Sequence, residues 1–272
     1  MIIDAHHHFW DPARGDYSWM VGEAVQPIAR KFGPGDMAAY LERHGIAKTI
    51  LVQAAPTVAE TDYMLGLAAA TEHVAKVVGW VDFEKRDDLA QLERLKKHPK
   101  FVGVRPMIQD LPDPEWMHRA DVQWTFDALV DLDLTFDALG FPQHLEPFLR
   151  LFERHPRLRA VVDHGMKPRI RDGAFKTWAA GIAEIAKNTA VFCKLSGLAS
   201  EAAPDWGIEI LRPYAAHILQ VFGPNRVMWG SDWPVVELNG SYDSWYSAAR
   251  HLVPEAQHGA VFSGTAAKFY RI

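Results

Sequence analysis

The sequence predicts a single (β/α)8 barrel, the TIM-barrel class of α/β fold, that spans residues 1–272. Apolar runs alternate with helical patterns eight times, in a chain length that suits one such barrel. The segments that lead into the runs are short and those that leave them are long, as expected where one face carries an active site. An open doubly wound sheet is the alternative. No Gly-x-Gly-x-x-Gly pattern follows the first run, so dinucleotide binding is not expected.

The apolar runs are predicted to be short strands buried on both faces, because each is bounded by Gly, Pro or polar residues. They cover residues 2–6, 49–53, 77–82, 102–105, 134–138, 160–164, 191–195 and 227–232. Helical patterns occupy residues 36–44, 61–72, 87–98, 143–155, 178–187, 205–222 and 242–252. Gly45 is predicted to end the first helix, Thr61 to cap the second, and Ser263 to cap a last short helix. No linker or repeat divides the chain.

The composition excludes several classes of function. With a net charge of −5 and no basic stripe, the chain is not expected to bind nucleic acid. No apolar run is long enough to span a bilayer, and a first strand that begins at residue 2 leaves no room for a signal peptide. The single cysteine, Cys193, excludes an internal disulfide and favours a cytoplasmic protein. The expected partner is a small-molecule substrate. The sequence leaves open whether the chain forms a homo-oligomer.

The first predicted strand runs into three consecutive histidines. Alternate side chains of a strand share a face, so His6 and His8 point the same way and His7 points the other way. Two imidazoles side by side suit a metal ion or an anionic substrate. The alternative is the remnant of a tag, but apolar residues flank the histidines on both sides, so the stretch belongs to the fold.

The last predicted strand ends in an acid. Residues 227–234 rise through an apolar run to Gly230, Ser231 and Asp232, and Pro234 ends the run. A carboxylate at the end of a buried strand can point into a pocket shared with the other strands. The alternative is that Asp232 caps the following turn, which is ordinary chemistry for Asp in a turn before Pro.

Other predicted strands also end in polar side chains, namely Arg105, Asp137, Asp163, His164, Lys194 and Ser196. Each has a structural alternative, such as an ion pair or a capped loop residue. Taken together with the two histidines and Asp232, they form a ring of imidazoles, cations and carboxylates on the face where barrels place their active sites.

The chain resembles the amidohydrolase superfamily, of the amidohydrolase 2 type, and within it the branch of sugar lactonases and 2-pyrone-4,6-dicarboxylate lactonases. The matching segments run the whole length of the chain and comprise residues 3–10, 103–105, 109–110, 112–114, 163–165, 167–168, 194–197, 230–234 and 266–270. The histidine pair together with Gly-Ser-Asp-Trp-Pro carries the superfamily resemblance. The Lys-Leu-Ser-Gly segment at 194–197 points to the lactonase branch.

The resemblance implies a metal site and its chemistry. In the superfamily, positions that match His6, His8, His164 and Asp232 hold a divalent metal, commonly zinc, and the acid also activates water. This sequence has Arg105 where two-metal members have a bridging lysine, and strand 5 contains no histidine. The resemblance therefore implies at most one ion. The alternative is an enzyme that works without metal, because the lactonase branch includes enzymes that need no metal ion.

Lactone hydrolysis needs a positioned water, a base, and donors for the developing oxyanion. We expect Asp232 to be the base, and His164, another histidine or a metal to polarise the carbonyl. Arg105 and Lys194 are expected to bind the substrate's hydroxyls or a carboxylate, with His8 as a further contact. Three tryptophans of the long loops, Trp10, Trp19 and Trp233, either stack on a sugar or pack the loops, and Trp19 is the predicted substrate contact.

The predicted function is the opening of a lactone ring, with an aldonolactone such as an L-fucono- or L-rhamnono-lactone as the favoured substrate. The alternative is a single-metal decarboxylase of an aromatic or muconate-type acid, since such enzymes of the superfamily share the histidine pair and the strand-8 acid. A binding protein without activity is the third hypothesis, and the intact ring of polar residues argues against it.

Overall fold

The computed structural model describes residues 1–272, and its centre is one parallel sheet of eight strands rolled into a barrel. The strands are β1 (Ile2–His7), β2 (Ile46–Val52), β3 (Val74–Gly79), β4 (Phe101–Val104), β5 (Thr135–Ala138), β6 (Arg159–Val162), β7 (Phe192–Leu195) and β8 (Val227–Trp229). Each strand pairs in parallel with the next one in the chain. This order confirms the predicted (β/α)8 barrel and excludes a doubly wound sheet, in which the strand order reverses.

The barrel closes between its first and last strands. The Asp232 amide donates to the His6 carbonyl at 2.8 Å, and the His8 amide donates to the Trp233 carbonyl at 2.7 Å. At Gly230 an added Cβ would lie 2.6 Å from the Cβ of His6, so the close approach requires glycine. The closing contacts therefore come from the segment just after β8 and from the histidines of β1.

Helices cover the outside of the barrel. They are α1 (Pro34–His44), α2 (Val58–Ala69), α3 (Leu89–Lys96), α4 (Gln123–Asp131), α5 (Leu145–Arg154), α6 (Lys176–Asn188), α7 (Leu198–Glu201), α8 (Ile208–Phe222), α9 (Tyr242–Leu252) and α10 (Thr265–Tyr270). None of them combines the length and the apolar character that crossing a membrane requires. The short segments enter the strands and the long loops leave them, so the loops gather at the C-terminal ends of the strands.

Two strands, β3 and β8, end three residues earlier than predicted, and tertiary hydrogen bonds hold the backbone that follows them. The third strand ends at Gly79 rather than at residue 82, since the Trp80 amide donates to the Thr61 hydroxyl at 2.8 Å. The last strand ends at Trp229 rather than at residue 232. Asp232 lies beyond it with φ 57°, a left-handed conformation that no strand residue adopts.

Two predicted caps are wrong and one is confirmed. The cap of α2 is Thr57, whose hydroxyl accepts from the Glu60 amide at 3.0 Å, and Thr61 lies inside the helix. Ser263 caps nothing, because a π-helical turn at Ala260–Gly264 contains it and continues directly into α10. Gly45 ends α1 in the left-handed conformation with φ 63°, as predicted.

The interior of the barrel has its own apolar core, separate from the larger one between strands and helices. It joins side chains of six strands to the last helix: Ile3, Ala5, Ile50, Val52, Val78, Val102, Val161, Met228, Ala266, Phe269 and Tyr270. Helix α10 lies at the N-terminal end of the barrel, where the Phe269 carbonyl accepts from Arg159 at the start of β6. The C-terminal helix therefore seals the end of the barrel opposite the long loops.

Candidate active site

Two histidines of β1 and the acid after β8 converge at the C-terminal end of the barrel. Nε2 of His6 lies 3.2 Å from Nε2 of His8, and Oδ1 of Asp232 lies 3.6 Å from the first and 3.3 Å from the second. His7 points away and its Nε2 lies 2.9 Å from the Thr49 hydroxyl, as the alternation of a strand predicts. All three converging side chains are buried.

The protonation of His8 is set by the strand beside it. Its Nδ1 donates to the Val52 carbonyl at 2.8 Å, which leaves the Nε2 lone pair facing the pocket. That lone pair meets the Asp232 carboxylate at 3.3 Å. Two electron-rich atoms at this distance repel each other unless a proton or a metal ion lies between them, so the pocket can hold a cation.

The spacing of these donor atoms fits one metal ion. Two ligands of a tetrahedral zinc ion, each about 2.0–2.1 Å from the metal, lie about 3.4 Å apart. The three contacts among His6, His8 and Asp232 fall close to that value, and Nε2 of His164 is 3.9 Å from Asp232. A second group able to hold a metal, His6 with Asp163 and His164, shares His6 with the first. Asp163 is already paired with Arg105 and Lys194, so the set of His6, His8 and Asp232 is the more available cation position.

His164 follows β6 in a turn of unusual backbone conformation. Residues 164–167 all have positive φ, at 53°, 55°, 62° and 45°, and only the second of them is glycine. Left-handed conformation costs most residues about 1 kcal/mol or more each, and such strain is concentrated at functional sites. The turn directs the imidazole of His164 towards Asp232, and the Ser196 hydroxyl lies 2.9 Å from its Nδ1.

Burial and neighbouring charges set the ionisation of the site. Burial lowers the pKa of His6 and of His8, and it lowers the pKa of His164 to about 4. Burial alone would raise the pKa of Asp232, but the imidazoles of His164, His8 and His6 hold it below its ordinary value. At neutral pH the pocket therefore presents neutral imidazoles and an ionised carboxylate, which are the forms needed for metal ligands and for a base.

Lys194 lies in the site, where two carboxylates and an imidazole surround its ammonium. Its ammonium is fully buried, 2.5 Å from Oδ2 of Asp137, 3.0 Å from Oδ1 of Asp163 and 3.0 Å from Nδ1 of His6. Two of its three N–H donors make hydrogen bonds, to Asp137 and to His6, and the contact with Asp163 is an ion pair. The geometry favours Lys194 as the centre of a buried charge network beside His6, and its predicted contact with a substrate stays a prediction.

Arg105 is also largely committed to protein partners. Its Nη2 donates to the side-chain and backbone oxygens of Gln53, and its Nη1 lies 3.3 Å from both Asp163 and Nε2 of His6. The residue is 4% exposed. The guanidinium therefore borders the histidine cluster and is itself held in place by Gln53.

The three loop tryptophans have different positions. Trp10 and Trp233 are buried and pack against Phe32, so they serve loop packing. Trp19 is half-buried, and its Nε1 donates to the Ala54 carbonyl at 2.7 Å. It lines a cavity of about 290 Å³ formed by the loops after the first four strands.

Sequence reasoning missed several residues of the site. Gln53 is the last residue of a predicted strand, so the rule that found Arg105 should have found it. Asp4, two residues before His6, accepts from the Ser231 amide at 2.8 Å and from the Tyr242 hydroxyl of α9 at 3.1 Å. Tyr270 donates to Asp137 at 2.9 Å from the far end of the chain, and no local pattern indicates that contact.

The comparisons with known proteins agree with this geometry. Residues 3–272 match the family model described as Amidohydrolase. The chain is 42% identical to an L-fucono-1,5-lactonase of Burkholderia ambifaria, over 99% of this chain and 95% of that protein. It is 33% identical to an L-fucono-1,5-lactonase of Burkholderia multivorans, over 99% and 96% of the two chains. The crystal structure of a B. multivorans amidohydrolase with bound zinc is 32% identical, with a TM-score of 0.94 over 100% and 99% of the two chains.

Dihydroxybenzoate decarboxylases are among the structural neighbours as well. They are 15% identical to this chain, with TM-scores of 0.71 and 0.70, and at that distance the likeness is one of fold.

Proposed function

The chain belongs to the amidohydrolase family, and we propose that it hydrolyses the ring ester of a sugar lactone, with an L-fucono-1,5-lactone type of aldonolactone as substrate. The observation that carries the proposal is the buried Asp232 carboxylate within 3.9 Å of the imidazoles of His6, His8 and His164. The lactonases at 42% and 33% identity over nearly the whole chain support this reaction class and substrate type.

The proposed reaction adds water to the lactone carbonyl. Asp232 accepts the proton of the attacking water, which it can do because its depressed pKa keeps it ionised. The water oxygen bonds to the carbonyl carbon, and the bond from that carbon to the ring oxygen then breaks. The proton held by Asp232 is available to the departing ring oxygen, so the product carries a new hydroxyl and a carboxylic acid that ionises in solution.

Neighbouring groups stabilise the oxyanion that forms on the carbonyl. Arg105, with its Nη1 at the histidine cluster, and His164 are the proposed donors, and His8 is the proposed further contact. His6, His8, His164 and Asp232 are the residues that would hold a divalent ion such as zinc. When bound there, such an ion supplies Lewis-acid polarisation of the carbonyl.

The alternative proposal is decarboxylation of an aromatic or muconate-type acid. It shares the histidine pair and the acid, and the decarboxylase neighbours share the fold. A carboxylate-bearing substrate needs a free cation, however. Arg105 and Lys194 are both paired with buried carboxylates, and Lys167 has the Glu201 carboxylate 3.9 Å away, which would repel a substrate carboxylate. Carbon dioxide release from a panel of aromatic acids, measured beside acid release from lactones, separates the two proposals.

The test is a panel of aldonolactones, including L-fucono- and L-rhamnono-1,5-lactone, assayed with a pH indicator on wild type and on Asp232→Asn. Loss of the base is expected to lower turnover by about 10²–10⁴. Asn tolerates the left-handed conformation that Asp232 adopts, so the melting temperature is expected to stay unchanged.

Asp205→Asn is the matched control, because Asp205 is exposed and also left-handed, with φ 61°. It should retain full activity. Metal analysis of the wild type should give at most one equivalent per chain. Turnover by Asp232→Asn within a few-fold of wild type would remove this residue from the mechanism, and a wild type that opens no lactone would refute the function.

A further inference from the structure

A second charged pair lies among the loops at the C-terminal end of the barrel. Lys167 follows the strained turn after β6, and Glu201 ends α7 after β7. Lys167 Nζ and Glu201 Oε1 are 3.9 Å apart, and the side chains are 20% and 23% exposed. That separation exceeds a hydrogen bond, and neither head group has another hydrogen-bond partner in the protein. Both are thus half-buried charges with free hydrogen-bonding capacity.

The backbone at Lys167 is as strained as that at the catalytic histidine. Lys167 ends the left-handed run that begins at His164, with φ 45° and ψ 65°. A lysine gains nothing from this conformation in an ordinary loop, where glycine would adopt it without cost. Strain of this kind persists where the surrounding structure fixes a side chain for a purpose. One turn therefore directs His164 to Asp232 and Lys167 to Glu201.

Both residues lie in loops that adjoin His164. Lys167 follows it by three residues in the same turn. Glu201 ends α7, whose N-cap Gly197 packs so closely on His164 that an added Cβ would lie 2.7 Å from its Nδ1. Burial raises the pKa of Glu201, Lys167 lowers it, and the Asp232 carboxylate raises it further, as expected for a carboxyl group near that site.

An aromatic ring completes this arrangement. The Lys167 ammonium lies 5.4 Å from the centre of the Phe141 ring, in the loop after β5. Phe141 is partly exposed. A ring with a donor and an acceptor beside it suits a polyhydroxylated ring, whose C–H face is apolar and whose rim carries hydroxyls.

We propose that Lys167 and Glu201 are specificity-determining residues that bind neighbouring hydroxyls of the sugar lactone, with Phe141 against its apolar face. Lys167 donates to one hydroxyl oxygen, and Glu201 accepts from the next hydroxyl along the ring. The inference rests on the proposed function and adds the part of the molecule that recognises the substrate as a sugar. The contacts with the hydroxyls come from the loops after β6 and β7, and the contact with the apolar face comes from the loop after β5.

The test compares a sugar lactone with the same ring lacking hydroxyls. Lys167→Met and Glu201→Gln are assayed on the best aldonolactone of the panel and on δ-valerolactone. If δ-valerolactone turns over slowly, its binding constant is measured from its inhibition of aldonolactone hydrolysis. For the sugar lactone, kcat/KM is expected to fall about 10- to 100-fold in Lys167→Met, which removes a hydrogen bond to a charged group. It is expected to fall about 3- to 10-fold in Glu201→Gln, which replaces a charged acceptor by a neutral one. For δ-valerolactone, turnover or binding is expected to change less than about two-fold, since this ring has no hydroxyl to lose a partner.

The controls are Arg212→Met and Glu209→Gln, which alter an exposed ion pair on the outer helix α8 in the same way. They should leave kcat/KM for both lactones unchanged, and all variants should have the melting temperature of the wild type. Equal losses on both lactones, or no loss on either, would overturn the inference while leaving the lactonase proposal intact. A wild type without activity on any aldonolactone would instead refute the proposed function itself.

Discussion

At the scale of single residues, the buried charges of the barrel matter most. Lys194 contacts Asp137 and Asp163, and Arg105 contacts Asp163 from the other side. Such a network holds together only while every charge has its partner, because an unpaired buried charge is costly. The sequence placed these residues at strand ends, and the structure brings them together, but a sequence does not reveal which cations are already paired.

Lys194→Met should therefore act mainly on stability. We expect the free energy of unfolding to fall by about 3–5 kcal/mol, because two buried carboxylates lose their partner. Denaturant titration measures this loss. Lys268→Met, which alters an exposed lysine of α10, is the control and should be neutral. Unchanged stability together with a raised KM would instead make Lys194 a direct substrate contact.

At the scale of elements, the spacing of neighbouring strands depends on a missing side chain. A Cβ added to Gly103 of β4 would lie 2.0 Å from the Thr135 hydroxyl and 2.3 Å from the Thr135 carbonyl oxygen of β5. Because one of these atoms belongs to the backbone, the clash cannot be relieved by rotating a side chain. The two strands would have to separate.

Gly103→Ala is expected to destabilise the protein by about 3 kcal/mol or more, at the upper end of overpacking costs. Gly66→Ala is the matched control, since Gly66 lies in α2 with open space around it. It should be neutral or stabilise by up to about 1 kcal/mol, as expected in a helix interior. Thermal melting of both variants checks the pair, and a Gly103→Ala protein as stable as wild type would contradict the packing described.

The elements also show how far the sequence could predict the fold. Apolar runs identified all eight strands, because a strand buried on both faces must be apolar regardless of its neighbours. The strand ends were less predictable, because partners distant in sequence set them. The Thr61 hydroxyl accepts from the Trp80 amide just after β3, and the His6 carbonyl accepts from the Asp232 amide after β8. The His6, His8 and Asp232 cluster was predictable from alternation, whereas the pairing of Lys167 with Glu201 needed the positions of two loops.

At the scale of the whole molecule, the two ends of the chain meet inside the barrel. Ile3 and Ala5 of the first strand share the interior core with Phe269 and Tyr270 of the last helix. The hydroxyl of Tyr270 reaches Asp137, and through it the ammonium of Lys194. The helix that seals the barrel thus also supports the charges beneath the active site.

Truncation after residue 264 tests this arrangement. It exposes the interior core and removes the side chains of Phe269 and Tyr270, so stability is expected to fall by about 5 kcal/mol or more. Because that is comparable with the whole stability of many domains, a cooperative melting transition should be lost. Removal of residues 271–272 alone, which are exposed, should leave melting nearly unchanged. A truncated chain that still melts cooperatively near the wild-type temperature would contradict the structure.

The closure of the barrel has a consequence for biosynthesis. Backbone hydrogen bonds of His6 with Asp232 and of His8 with Trp233 join the first strand to the segment after the last one. The side chains of His6, His8 and Asp232 also form the reactive cluster. A ribosome releases the histidines first and the acid only when most of the chain has emerged. The cluster is therefore incomplete until β1 and the segment after β8 have joined, late in folding.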